Sequence, residues 1–472
     1  MYQSKLVALL RTLTPAEQRR FKKWLKSPIH NPNETLSKFY DFFESREGFT
    51  PRSLQRERAY TYLFEGQAYH DLTIRRLMSE FLTVLEDFLA YEAWQKDRVA
   101  RHLVLSRLYY DRQLPETAEK QVQIASLELE ALPMRDTSWH LQAYRVQEER
   151  FRQAPSRDTA RNLQEIGDEL SYFFVAELLR NACGAASHAA VYRADYRFPY
   201  LEVVLGNAAA DLYQSVPLIQ LYYHSYCCLT QPALTEHFFA LKKILPTAAD
   251  WLPASECRDV FLVGINYCIR RMNVDGHSFL REALDLYREG LDKDIFIEKG
   301  LISRFTFKNI ATAALALGET EWTAQFIARY APLLPPAFRN PYERFCLAKL
   351  FYQRQEHAQV QDLLQQLESD DVFLELDARL LLLKVYMETA EWRLLQGFLT
   401  TFERYVRRKK KLAYHAPLYL NIIHFAQRIL LLRSGKRSFS AEEIAQLRQQ
   451  IADAKPLSER DWLLKMCEQR EF

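Results

Sequence analysis

Glycine is scarce in this chain. Twelve glycines stand among 472 residues, where average usage near 7% gives roughly 33. A chain so poor in the residue of tight turns is expected to consist of long helices, because a glycine costs about 1 kcal/mol inside one. Charge of one sign is lacking too. Lys and Arg number 63 against 60 Asp and Glu, a net charge of +3, so the whole-chain field gives no strong push toward nucleic acid or acidic lipid. No uninterrupted apolar run reaches 18 residues, and apolar windows such as 380–385 are broken by Arg379 and Lys384. No membrane span is therefore expected. The opening Met-Tyr-Gln-Ser-Lys lacks the basic start and apolar block of a signal peptide, so the expected location is cytoplasmic.

The motifs of common chemistry are missing as well. Gly-x-Gly-x-x-Gly and Gly-x4-Gly-Lys-Ser/Thr are absent, so no phosphate cradle is foreseen. His-Glu-x-x-His, Cys/His pairs at zinc spacing and Gly-x-Ser-x-Gly are absent too. No cofactor, no metal and no catalytic residue is expected, and the chain reads as a non-enzyme. The seven cysteines (183, 227, 228, 257, 268, 346 and 467) are odd in number and form no Cys-x-x-Cys. They read as small buried hydrophobes of a reducing compartment. His224 with Cys227 and Cys228 is the nearest approach to a metal cluster. On a helix 224 and 228 share a face while 227 is offset, and no further ligand is evident. His188, in Ala-Ser-His-Ala-Ala, reads as a structural or surface histidine.

What is present in quantity is aromatic: 26 Tyr, 29 Phe and 7 Trp. Such rings fill gaps between packed helices, or line a groove where they are exposed. The last third of the chain repeats itself. Residues 317–322 (Leu-Gly-Glu-Thr-Glu-Trp), 352–357 (Tyr-Gln-Arg-Gln-Glu-His) and 387–392 (Met-Glu-Thr-Ala-Glu-Trp) place rings at 322, 357 and 392, two steps of 35. A short polar turn between apolar-periodic runs at this interval is the mark of stacked helical hairpins, which cannot bury their apolar flanks alone.

The resulting expectation is an all-α chain, an α-solenoid of stacked antiparallel helix hairpins with an N-terminal helical domain. Its parts are a helical domain over 1–97, irregular hairpins over 98–302, regular repeats over 303–411 and a helical cap over 412–472. No strand is foreseen. In the first part, Thr14 with Glu17 makes a capping box and Asn33 caps a further helix. Thr50-Pro51 opens a helix ending near Gly66, and a long helix covers about 71–97. A helix over 233–245 pairs with 216–229, and residues 273–276 (Asn-Val-Asp-Gly) signal a turn. Ser440 with Glu443 forms a second capping box. Asp370-Asp371 falls in an inter-repeat loop and reads as a cap; Glu86-Asp87 reads as an outer helix face.

The regular repeats resemble the tetratricopeptide family in turn placement and in small residues. Ala313 and Ala348 stand 35 apart in first helices, while Ala378 sits five residues early for that register. The front end is similar to the opening of a group of uncharacterised helical proteins from Bacteroidota, through residues 13–31 (Leu-Thr-Pro-Ala-Glu-Gln-Arg-Arg-Phe-Lys-Lys-Trp-Leu-Lys-Ser-Pro-Ile-His-Asn) and 69–79 (Tyr-His-Asp-Leu-Thr-Ile-Arg-Arg-Leu-Met-Ser), running into 85–89. This second resemblance implies a lineage and a cytoplasmic helical protein, and no activity.

A stack of hairpins offers an extended surface for a peptide or a partner's helix. The first helix of each regular hairpin, around 308–317, 343–353 and 378–387, is expected to supply the contacts. Asn309, Lys349, Gln353 and Lys384 are the polar residues in these largely apolar helices and are the candidate partner contacts. The alternative is a solvated helix face. Two basic clusters are candidate anionic contacts: Arg19, Arg20 and Lys23 at the front, and Arg407, Arg408, Lys409 and Lys410 closing the last repeat. For the latter, complementing a helix C-terminus is an equally physical account. The expected role is a protein–protein interaction scaffold. The alternative is a nucleic-acid-associated regulatory protein using the basic N-terminal domain, and self-association stays open.

Overall fold

The structure, a computed structural model, describes residues 1–45, 49–153, 162–209, 213–275, 278–365, 367–409, 415–434 and 440–468, with backbone alone at 273–275. The chain is all-α: 78% helical, with 23 helices among the described residues. It divides into two compact units, Met1–Phe174 and Val175–Phe472.

The first unit opens with α1 (Lys5–Leu10), α2 (Pro15–Leu25), α3 (Glu34–Glu44), α4 (Arg56–Leu63) and α5 (Asp71–Lys96). The caps foreseen at Thr14 and Asn33 are present. Thr14 and Glu17 bond each other's backbone amides, and the Asn33 side chain accepts from the Thr35 amide. These helices close on an aromatic core. The Phe21 ring, fully buried, lies 5.2–5.7 Å from those of Tyr40, Phe81 and Phe88. The helix expected from Thr50 to Gly66 is shorter. Thr50 and Ser53 exchange amide-to-hydroxyl bonds, closing a turn, and α4 begins only at Arg56. Next, α6 (Arg98–Asp111), α7 (Pro115–Glu130) and α8 (Thr137–Gln153) gather Val99, Val122, Leu129 and Val146 into a second core. The division between the units falls within α9 (Leu163–Tyr192).

The second unit continues with α10 (Leu201–Ala209), which was not foreseen, then α11 (Pro217–Thr230), α12 (Thr235–Trp251), α13 (Ala254–Asp275) and α14 (Ser278–Asp292). A proline inside a helix removes one backbone bond, yet α12 runs through Pro246 rather than stopping at Leu245. Leu241, Leu245 and Ala248 are fully buried on either side of it, so packing overrides the local break. Of the turn signal at 273–276, residues 273–275 end α13 and Gly276 lies outside the described residues. A two-residue antiparallel pair, β1 (Ile297–Glu298) with β2 (Leu301–Ile302), corrects the expectation of no strand. Its loop places Lys299 and Gly300 at φ 50° and 78°, the left-handed pair that a type I′ hairpin requires.

Three hairpins follow: α15 (Arg304–Ala316) with α16 (Thr320–Tyr330), α17 (Pro336–Gln353) with α18 (His357–Gln365), and α19 (Val372–Glu388) with α20 (Trp392–Arg408). One turn is used three times. Gly318, Gln355 and Ala390 are left-handed, at φ 77°, 61° and 57°. In each case the next residue is a glutamate whose amide donates five residues back: Glu319 to Ala314, Glu356 to Phe351 and Glu391 to Tyr386, at 2.9–3.0 Å. This reverse bond is how a helix ending in a left-handed residue satisfies its last carbonyls. The turns fall 35 residues apart between 355 and 390, as the rings at 357 and 392 indicate. Between 318 and 355 they fall 37 apart (355 − 318 = 37), so Trp322 is out of register by two residues. A 3-10 turn, Ala331–Leu333, and the following prolines lengthen that step.

Each first helix packs on its own second helix and on the next first helix: α15 on α16 and α17, α17 on α18 and α19. Ala313, Ala348 and Ala378, all buried, keep these helices close. Asp371 caps α19, its carboxylate accepting from the Phe373 and Leu374 amides. The unit ends with α21 (Ala416–Arg433), α22 (Ala441–Asp453) and α23 (Arg460–Glu468), α22 opening on the Ser440/Glu443 capping box. Among the described residues no helix is long and apolar enough to cross a membrane.

The shared turn sets opposite signs for two substitutions. Gly318→Ala places a Cβ in a left-handed conformation and should lower unfolding free energy by about 1 kcal/mol. Ala390→Gly relieves the same strain and should leave stability equal or higher. Urea unfolding of both variants measures the contrast.

Candidate functional site

The first helices of the three hairpins carry two stripes each. In α15 the residues Phe307, Ile310, Ala311 and Ala314 are buried, while Lys308, Asn309 and Thr312 fall on another face. In α17 the groove-side residues are Phe345, Lys349, Tyr352 and Gln353, and in α19 Asp377, Leu381 and Lys384. Spacings of three and four bring such residues onto one side of a helix. The stripes face a single groove of about 390 Å³. All four residues singled out as partner contacts, Asn309, Lys349, Gln353 and Lys384, line it. Asn309 and Gln353 are exposed; Lys349 and Lys384 are half-buried.

The groove is a lysine site with its charges unevenly matched. Lys308 Nζ pairs with Asp377 Oδ2 at 2.7 Å, linking α15 to α19 past α17. Lys384 pairs with Glu459, which reaches in from the residues before α23. Lys349 donates to the Thr312 hydroxyl at 3.2 Å and lies 5.8 Å from the centre of the Phe345 ring. It forms no ion pair among the described residues. Among the lining residues three lysines face two carboxylates, and the lysine between the other two is the one without an ion pair. An ammonium has three donors, and Thr312 takes one of them. Burial holds Lys349 below the usual lysine value, and the charges of Lys308 and Lys384 push the same way; Cys346 and Asp377 oppose them. At the rim the Glu388 carboxylate accepts from the Tyr352 hydroxyl at 2.6 Å and from the Trp462 indole N–H at 2.8 Å.

Sequence reasoning missed Asp377, Glu459 and Trp462 and did not single out Lys308 or Tyr352. Lys308 and Tyr352 lie within the helices named for contacts, and Asp377 stands one residue outside. For Glu459 and Trp462 no periodic signal exists, because they come from the terminal helices.

The basic clusters are partly paired. Arg20 forks onto the Glu92 carboxylate, with contacts of 2.6–2.9 Å, and neighbouring Lys22 is held by Glu44 and Asp41. Arg19 and Lys23 are exposed. Arg407 and Arg408 sit in the last turn of α20, where positive charge complements the helix dipole. Arg407 also pairs with Glu403, and Lys409 lies 5.1 Å from the centre of the Tyr405 ring. Lys410 lies outside the described residues.

His224 and its neighbours hold no metal geometry. Its Nδ1 lies 3.0 Å from Nδ1 of His237, and burial with the nearby His237 pushes His224 down to about 4. Burial raises Cys227 to about 11 and Cys228 to about 12, so neither is a ready thiolate. Among the described residues no three His, Cys, Asp or Glu side chains cluster as metal ligands. His188 is exposed, stacked on Tyr192 at 4.4 Å and hydrogen-bonded to the Tyr196 hydroxyl at 2.8 Å.

A charge held out of water without a partner opposes folding. Lys349→Met should therefore raise unfolding free energy, by about 1 kcal/mol or more, where most core-side substitutions lower it. The pH dependence follows. With its folded value depressed, Lys349 binds its proton less well in the folded chain than in the unfolded one. Its destabilising effect is complete below the folded value and fades as pH climbs toward the ordinary lysine value of about 10.4. The stability gap between Lys349→Met and wild type should thus narrow across the alkaline range, as thermal unfolding at stepped pH will show.

Comparisons with models of protein families, with curated proteins and with solved structures give no match, so the chemistry of the groove stands on its own atoms.

Proposed function

We propose that the chain is a non-catalytic interaction scaffold, a solenoid of helical hairpins whose groove over α15, α17 and α19 takes an extended peptide or a helix of a partner protein. One observation carries this. Polar residues from three successive hairpins face one groove, and at its centre stands Lys349, a cationic donor without an acidic partner. Such a residue weakens the fold and gains its partner only from outside. Spacing supports a peptide. Packed helices lie about 8–10 Å apart, and an extended chain advancing about 3.1 Å per residue meets a new helix every third residue. The proposed location is the cytoplasm, where the seven buried thiols stay reduced.

Gln353 is exposed, so Gln353→Trp narrows the groove without disturbing the core. Used as bait in a lysate, the wild-type chain should recover one protein at near-stoichiometric yield, and Gln353→Trp, with unchanged circular dichroism, should recover less than about a tenth as much. A wild-type chain that recovers no partner, or a partner held equally by both, defeats the proposal.

A further inference from the structure

The groove already contains a carboxylate that does not belong to its hairpins. Glu459 lies 75 residues beyond Lys384, and its side chain enters the groove to pair with that lysine. Both ends of the pair are half-buried. Beside it, the Trp462 ring centre lies 5.6 Å from the Lys384 ammonium. Glu459 has φ 57°, a left-handed conformation that a residue with a Cβ adopts at a cost. The residue stands directly before α23, its carbonyl accepting from the Leu463 amide at 2.9 Å.

The three lysines thus stand in three states. Lys308 is held by Asp377 from within the hairpins, Lys384 by Glu459 from the terminal segment, and Lys349 by no acid. We propose, building on the peptide-groove function above, that the partner segment is acidic, that one of its Asp or Glu side chains seats on Lys349, and that Glu459 is a built-in competitor which the next acidic side chain displaces from Lys384. Glu459 shows the chemistry the groove accepts: a carboxylate on a flexible stem, seated on a lysine that also meets the Trp462 ring. The terminal segment in this way leaves Lys349 open to a first acid and lowers the gain from a second, which must displace Glu459.

Random twelve-residue peptides displayed on phage, panned against the full chain, test this. The expected binders are rich in Asp and Glu. A synthetic binder, followed by fluorescence anisotropy, should lose at least tenfold in affinity with Lys349→Met and regain most of it with Lys349→Arg. The same peptide should bind Glu459→Gln roughly fivefold more tightly or better, the coupling expected when a competitor is removed. Binders without acidic enrichment, binders indifferent to Lys349→Met, or an affinity unchanged in Glu459→Gln overturn this inference while leaving a peptide groove in place. Failure to select any binder overturns both. A twenty-residue oligothymidylate that binds with the same dependence on Lys349 overturns it in favour of nucleic acid.

Discussion

A pair of helices has an apolar flank that it cannot cover, and the organisation of the second unit follows from that. The middle first helix, α17, must meet its own second helix and the first helices on both sides. Close approach on that many sides leaves room only for small or well-fitted residues, which is why Ala348 is fully buried. One stripe of α17, Phe345, Lys349, Tyr352 and Gln353, faces the groove. The groove lies where the three first helices meet, and its polar residues are conspicuous because they interrupt otherwise largely apolar helices.

This explains how much could be read beforehand. Asn309, Lys349, Gln353 and Lys384 interrupt apolar helices, and a 3.6-residue period turns such interruptions into a common face. The capping residues Thr14, Asn33, Asp371 and Ser440 were legible for the same local reason: each bonds amides two or three residues onward. What was not legible depends on distance or on compensation. The first repeat was misregistered by two residues because the ring of Trp322 served as its marker, whereas the turn is set by the left-handed residue, Gly318 in one hairpin and Gln355 or Ala390 in the others. Pro246 fails to end α12 because burial of its neighbours outweighs one lost backbone bond. Glu459 enters the groove from a segment with no periodic relation to the hairpins, so its role is visible only in three dimensions.

In the proposed function Lys349 sets folding and recognition against each other. Met or Leu on the same stem would fill the space without holding a charge out of water. The desolvation that opposes folding also strengthens attraction to an incoming anion, because water no longer competes for the ammonium. The Lys308–Asp377 pair has a different part: it spans from α15 to α19 and steadies the walls between which Lys349 stands.

The shared acceptor at the rim has a consequence for where this unit ends. One oxygen of Glu388 receives the hydroxyl of Tyr352 from the second hairpin and the indole of Trp462 from the last helix. The closing helices are thus fastened to the repeats through the same rim that bounds the groove. A chain cut after α22 would strip Glu388 of a donor and Lys384 of its acid at once. The hairpins are not a detachable module with a tail; the last helix is the fourth wall of their groove.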